Sequence, residues 1–372
     1  MSNGADPARS ATIRPASTED FDGISAVWKR AGFSGLDPEK FAHLFLRNPA
    51  NALGTQRGAE QIGWVVESGG SVRGVFGNLL TEYDLDGRTL LAATTSAVAV
   101  DAGFRAHAMP LVSRFFRQRG VDLLLATTAN GAVSPIYLGF RAQWVPHPDY
   151  QTVHFWLVNR VGFVRSALRR RGWGWASPLA PFAGAGLWVQ DLPRRSRRAS
   201  IGGIDEVASF GPEFDEFWAR LCAGPRRLRA NRSASRLEWH FAPGRRDGGL
   251  RILACRSGGR LEGYCILLRI DSPEIGLRRS VIADLQASEG RNDVVLALLA
   301  AARRACVDDA VHVLEARGFE PAKRGALLST RPRSRTSAVN PFMYKAVDGA
   351  LSAVLQDPSV WDPCPYDGDA AI

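Results

Sequence analysis

Residues 62–80 read IGWVVESGGSVRGVFGNLL, and residues 250–268 read LRILACRSGGRLEGYCILL. Each is an apolar run, a tight turn and a second apolar run, the pattern of a β-hairpin. The turns correspond: Ser68-Gly69-Gly70 with Gly74 in one, Ser257-Gly258-Gly259 with Gly263 in the other. The match extends downstream. Arg105 opens a helical stretch that runs to Val121-Asp122, and Arg291 opens one of the same length that runs to Val307-Asp308. Apolar strands follow at 123–126 and 310–314, and aromatic segments precede the hairpins at 41–49 (FAHLFLRNP) and 237–243 (LEWHFAP). A single hairpin match is a common coincidence. Hairpin, strand, helix and strand repeated in one order at nearly one offset predict an internal duplication.

The first unit is expected to open with a strand at 12–14 and a helix introduced by Ser17-Thr18-Glu19-Asp20, a capping-box pattern, with Phe21, Ile24, Val27 and Trp28 on one face. After the hairpin come a long strand over 90–100, a helix over 106–118 and a strand over 121–127. The second unit begins near Ile201, with a helix over 214–221, strands over 251–256, 263–270 and 280–287, and a helix over 292–306. Antiparallel strands with a helix crossing between two parallel ones define an α/β (α+β) fold, each unit a mixed, mostly antiparallel central sheet flanked by helices. The expected domains are 1–158 and 201–372, joined by a basic and apolar connector at 159–200. In that connector, 161–171 forms a basic amphipathic helix, 172–190 carries no charge, and basic 194–198 follows. Pro178, Pro181 and four glycines argue against a membrane-spanning helix. A buried connector and a membrane-surface contact through 161–198 both suit Trp173, Trp175 and Trp188.

At roughly 150 residues per domain, 372 residues suffice for two cores. A hydrophobic fraction of 45% and a charged fraction of 23% exclude disordered and fibrous classes. The net charge of +10 is carried by arginine, lysine occurring only at 29, 40, 323 and 345. Arginine codon bias explains most of it, and the basic residues lack an interleaved stacking platform, so DNA is not an expected partner. The five cysteines are odd in number and form no C-x-x-C pair, which excludes a disulfide framework and a zinc knuckle. With no apolar leader at the N-terminus, a cytoplasmic protein is expected, with peripheral contact to the inner face of the membrane as the alternative for 161–198. His43, His107, His147, His154, His240 and His312 show no metal-ligand spacing, and no Walker loop, dinucleotide fingerprint or nucleophile elbow occurs. Asp367-Gly368-Asp369 reads as a solvated tail.

Residues 98–112 (VAVDAGFRAHAMPLV) resemble the central signature of the GCN5-related N-acetyltransferase superfamily, a strand followed by a turn and a helix, and residues 130–140 (NGAVSPIYLGF) resemble its later N-x(n)-G-F segment. With its close at Trp361-Asp362-Pro363, the whole chain resembles tandem acetyltransferase-like proteins encoded with bacterial exopolysaccharide pathways. The resemblance implies two tandem domains of that fold and transfer of an acyl group from acetyl-coenzyme A, or another acyl-coenzyme A, to a small-molecule or glycan amine such as an amino sugar or a polysaccharide precursor. In the family, a glycine-bearing turn [RQ]-x-x-G-x-[GA] opening a helix receives the pyrophosphate. Here Arg105-Ala106-His107-Ala108-Met109-Pro110 places alanine and proline at the glycine positions, and Arg291-Asn292-Asp293-Val294 in the second unit has no glycine and an acid that repels phosphate. The coenzyme is therefore expected at Val98, Val100, Arg105, Ala106, His107 and Ala108.

Acyl transfer needs a base, an oxyanion donor and an acid for the thiolate. The family's acid, a tyrosine four residues before G-F, is Pro135 here, and Tyr137 lies two before Gly139. The remaining candidates are Asp284 inside the apolar strand VIADLQA, Glu315 at the end of VHVLE, Tyr344, and Glu82 and Asp84 after the first hairpin. Each also has a structural reading as an ion-pair member, a solvated carboxylate or a packing side chain. The competing functions are a non-catalytic scaffold in which both cofactor turns have decayed, and an aminoacyl-tRNA-dependent transferase.

Overall fold

Paired glycines make both hairpin turns. Gly69 and Gly70 (φ +57° and +71°), like Gly258 and Gly259 (φ +58° and +78°), occupy the two left-handed positions of a two-residue turn whose twist matches that of the strands it joins. The molecule is described by a computed structural model over residues 10–33, 37–129, 131, 133–147, 149–191, 203–337 and 342–368. Of the sequence features above, Asn130, Ile201, the basic run 194–198 and Asp369 lie outside the described residues, as does the side chain of Trp188.

The chain begins with β1 (Thr12–Pro15), α1 (Phe21–Arg30), α2 (Pro38–Phe41), α3 (Asn51–Arg57), β2 (Gly63–Ser68), β3 (Ser71–Leu85), β4 (Arg88–Val100), α4 (Ala108–Phe116), β5 (Leu123–Ala126), α5 (Ser134–Gly139) and β6 (Gln143–Trp144). It continues through β7 (Thr152–Leu157), α6 (Arg160–Arg170), α7 (Ala180–Asp191), β8 (Ile204–Val207), α8 (Pro212–Cys222), β9 (Arg229–Ala230), α9 (Ala234–Arg246), β10 (Leu250–Ser257), β11 (Arg260–Arg269), β12 (Arg279–Ala287), α10 (Asn292–Asp308), β13 (Val313–Ala316), α11 (Pro321–Ser329) and β14 (Arg333–Thr336). It closes with β15 (Met343–Ala346) and α12 (Gly349–Val354). The capping box at Ser17 forms as read, the Ser17 N–H donating to Asp20 Oδ2 at 2.8 Å, and Ile24, Val27 and Trp28 of α1 are buried.

The first sheet has the order β1-β2-β3-β4-β5-β15-β6, and the second has β8-β10-β11-β12-β13-β7-β14. The two orders are position-by-position equivalents. In each, the pair joined by a helix is parallel, β4 with β5 and β12 with β13. The hairpins also share an irregularity, since the register slips after Val66 in β2 and after Cys255 in β10. The fold class read from the sequence is the one observed.

The compact units are not the two halves of the sequence. One comprises residues 1–146, 339–358 and 368–370, and the other 147–338, 359–367 and 371–372. The division expected at 158 and 201 differs because two strands are exchanged: β7 pairs with β13 and β14, and β15 pairs with β5 and β6. The expected connector also dissolves, α6 and α7 lying within the second unit. In the first unit the core joins Trp64, Phe76, Leu80, Leu91, Leu111, Phe115 and Phe116 to Met343 of the exchanged strand. Each such side chain contributes roughly 1.5–3 kcal/mol on full burial.

Candidate active site

β4 lies beside β5 only at Ala92, Ala93 and Thr94, which pair with Leu123, Leu124 and Leu125. Beyond Thr94 the ladder to β5 ends, and β4 runs on to Val100 with β3 alone as its partner. Burial follows the geometry: residues 90–95 are buried, whereas Ser96, Ala97, Val98 and Val100 are half-buried. Within this stretch β4 carries one extra residue, since Val75 pairs with Ala99 but Gly77 with Ser96. Ala97 sits in the bulge at φ +38°, and the Trp28 indole N–H holds its carbonyl at 2.8 Å. A Cβ on Gly77 would overlap the Ser96 carbonyl oxygen, so the bulge needs glycine opposite it.

The bulge resets the alternation of the strand. Leu91 and Ala93 belong to the core beneath α4, and Val98 and Val100 pack on that same core despite their opposite parity. The Asp101 N–H goes to Arg73 O at 2.8 Å, so alternation turns the amides of Val100 and Val98 away from β3, into the gap. Partly buried Val98, Val100 and Phe104 together with Val133, Ile136 and Phe140 supply apolar surface on that core.

At the end of β4 lies a cavity of about 660 Å³ lined by Val27, Arg30, Ala31, Arg73, Val100, Asp101, Ala102 and Arg105. Three arginines and one aspartate are among its lining residues. Arg30 holds Asp101 with two hydrogen bonds of 2.9 Å, and Arg73 lies 3.9 Å from Asp101 and 5.8 Å from the Phe104 ring centroid. Arg105 is exposed, with no carboxylate partner among the described residues. The turn after β4 differs from the expected helix over 106–118. Residues Ala102–His107 form a 3-10 helix, the Phe104 N–H bonding Asp101 O and the Ala108 N–H bonding Arg105 O, and α4 starts only at Ala108. Without glycine at 108 and 110 the turn closes on itself. Ala106 is exposed, Ala108 is half-buried, and half-buried His107 has a buried Nδ1 with no partner.

The corresponding gap in the second unit is filled. β12 has its own bulge, Ile266 pairing with Asp284 but Leu267 with Ile282. The adjacent cavity is only about 70 Å³. Lys323 Nζ donates to Leu285 O and Gln286 Oε1, both at 3.1 Å, and pairs with Asp362. Asp284 is fully buried and accepts from Arg232 Nε at 2.8 Å, Tyr264 Oη at 2.9 Å and Gln286 Nε2 at 3.0 Å. Burial alone would raise its pKa, but the charge and hydrogen bonds of Arg232 hold it below the ordinary carboxylate range. Asp362 follows the same logic, Lys323 and Arg232 outweighing its burial. Asp367 is not the solvated tail expected from the sequence: it is 4% exposed, accepts the Cys364 N–H at 2.8 Å, and burial pushes its pKa up to about 6.

The four catalytic candidates are not brought together. Asp284 is committed to Arg232, and Glu315 is held by Arg335 at 2.9 Å and Arg279 at 3.6 Å. In the other unit, Tyr137 is buried edge-on to Phe116 with centroids 5.2 Å apart. Buried Tyr344 has its hydroxyl 3.0 Å from Gln143 Oε1 and 3.1 Å from Leu355 O. Glu82 and Asp84 pair with Leu91 and Thr89, at the end of β4 remote from the bulge. Sequence reasoning missed Ala97, Arg30 and Arg73; the one trace of the bulge is Gly77 within an otherwise apolar run.

In both sheets a strand is bulged near the point where its parallel neighbour departs. Solved structures share this fold. A GCN5-related N-acetyltransferase from Anabaena variabilis ATCC 29413 matches at 11% identity over 91% of this chain and 73% of its own, with a TM-score of 0.55. One from Kribbella flavida matches at 13% identity over 91% and 71%, TM-score 0.55, and Eis1 from Mycobacterium abscessus at 14% over 93% and 76%, TM-score 0.53. The fold is that of the GCN5-related N-acetyltransferases. No family model and no curated protein matches the sequence.

Proposed function

We propose that the chain is an acyl-coenzyme A-dependent N-acyltransferase that binds its donor in the first unit and acts on an amine. The observation that carries this reading is the free, bulged edge of β4 ending at an arginine-lined cavity. The donor's phosphates suit Arg73 and Arg105, its pantetheine arm suits the amides and apolar flank of Val100 and Val98, and its thioester then falls beside Ala97. The neutral amine attacks the carbonyl carbon and forms the C–N bond, and the proton that its nitrogen sheds passes through water to the departing thiolate. The oxyanion takes a hydrogen bond from a backbone amide of the bulge, and collapse breaks the C–S bond. A thiol pKa of about 8.5 makes the thiolate a tolerable leaving group, so buried Tyr137 need not be its acid. Positioning of the two substrates supplies much of the remaining rate.

The second unit, in this reading, is the product of a tandem duplication whose gap has been filled by Lys323 and Asp362. An amino sugar or a polysaccharide precursor is the acceptor that the sequence resemblance implies. The closed turn at Ala102–His107 favours a second reading, a binding protein without turnover.

Calorimetric titration with acetyl-coenzyme A at low salt decides between them. One saturable site per chain, weakened at least tenfold by Arg105→Glu, supports the first reading. Absence of binding to acetyl- and longer acyl-coenzyme A by the folded protein rejects it in favour of the second.

A further inference from the structure

Among the described residues, the two most exposed large apolar side chains are Trp175 at 80% and Phe182 at 79%, and Leu179 (59%) and Trp173 (53%) accompany them within ten residues of sequence. Four large apolar side chains held this far out of a core forgo several kcal/mol of burial. The segment is uncharged from Gly172 to Gln190. It is also held in place. α6, which precedes it, is capped by Asn159 Oδ1 accepting the Gly162 N–H at 2.9 Å, and Ser166 Oγ lies 2.9 Å from Gly276 O.

Gly162 and Ser166 hold one face of α6, and exposed Arg165 and Arg169 stand on the flank of that face, Arg169 lying against Gly276 and Gly174, with exposed Arg170 and Arg171 at the end of the helix. None of the four has a carboxylate partner among the described residues. Arg165 and Arg169 are one helical turn apart, a like-charge spacing that weakens an isolated helix. The fold thus presents aromatic and aliphatic side chains beside an uncompensated cationic row. That combination matches one environment, an anionic bilayer surface, where rings settle at the headgroup level and guanidinium groups meet phosphates. A second copy of the chain is a poor match, because a two-fold contact would set the arginine row close to itself. Among the described residues no helix is long and apolar enough to cross a membrane.

We propose that α6, α7 and the turn between them dock the protein on an anionic membrane, with Trp173, Trp175, Leu179 and Phe182 entering the interface and Arg165, Arg169, Arg170 and Arg171 binding lipid phosphates. The contact is peripheral and independent of the acyltransferase reading.

The test is flotation of the full chain with vesicles of equimolar phosphatidylglycerol and phosphatidylcholine, against vesicles of phosphatidylcholine alone. The wild type is expected to float with the anionic vesicles only, and its tryptophan fluorescence to be quenched by lipids brominated near the headgroup. Trp175→Ser with Phe182→Ser should reduce partitioning at least tenfold, and each Arg→Gln in the row roughly fivefold. Both apolar positions are exposed, so thermal unfolding of the variants should be unchanged. Failure of the wild type to float, or flotation of the double variant equal to wild type, overturns the proposal. So does a wild-type dimer that the double variant dissociates without any change in flotation, which would assign the face to self-association.

Discussion

Asp284 and Arg232 illustrate what burial does to a charged residue. The carboxylate is ionised because Arg232, Tyr264 and Gln286 replace the water it loses, and removing its charge leaves the buried Arg232 guanidinium with Asp367, 4.0 Å away, in place of its close hydrogen-bonded partner. Asp284→Asn is therefore expected to cost roughly 3–5 kcal/mol of stability, read as a fall in urea midpoint, and any loss of turnover should track unfolding. Asp367 has the opposite sign. Its pKa is raised to about 6, so its contribution to stability is complete below the ordinary carboxylate pKa and is lost as pH rises through 6. Asp367→Asn should remove that loss and stabilise the protein by about 2–3 kcal/mol at neutral pH relative to its effect near pH 4. Urea titrations at the two pH values check it. Asp284 and Asp362, whose pKa values are lowered, stabilise above the ordinary carboxylate range and lose that contribution as pH falls below it. Sequence singled out Asp284 as a carboxylate in an apolar strand. It could not supply the partner, because Arg232 lies 52 residues away and nothing in the intervening pattern links them.

The bulge in β4 is the element on which the proposed site depends. Deleting Ala97 would let β4 pair with β3 without interruption: Val98 and Val100 would keep their present face, but the bulge beside which the thioester is placed would close. Acyl-coenzyme A binding should fall at least tenfold in calorimetry while far-ultraviolet dichroism keeps its strand signal. Ala97→Gly tests the same feature gently: relief of the left-handed backbone should be neutral or stabilising by up to about 1 kcal/mol in urea unfolding. Both hairpins, α1 with its capping box, and the long strands were legible because each advertises itself locally, by paired glycines, a cap or an apolar run. The helix after β4 was only half legible. Pro110 and the missing glycines marked an altered turn, but whether it opened or closed depended on backbone hydrogen bonds that no residue type announces.

For the molecule as a whole, strand exchange makes sequence halves the wrong unit of design. A fragment of residues 1–158 lacks β15, so β5 and β6 lose their shared partner, and it carries β7 with no sheet to join. Such a fragment is expected to be largely insoluble or to lack cooperative thermal unfolding, and co-expression with residues 159–372 should restore both. The exchanged strands were illegible because β7 and β15 are short and make no local signal; their places are fixed by pairing across most of the chain. The position of β15 also sets a schedule for biosynthesis. Its residues leave the ribosome more than two hundred positions after Ala126, and at about 5–20 residues per second the edge of β5 waits on the order of 10–40 s for its neighbour. Throughout that interval an apolar strand stands open, and the nascent chain is a natural client for the holding chaperones that work at the tunnel exit.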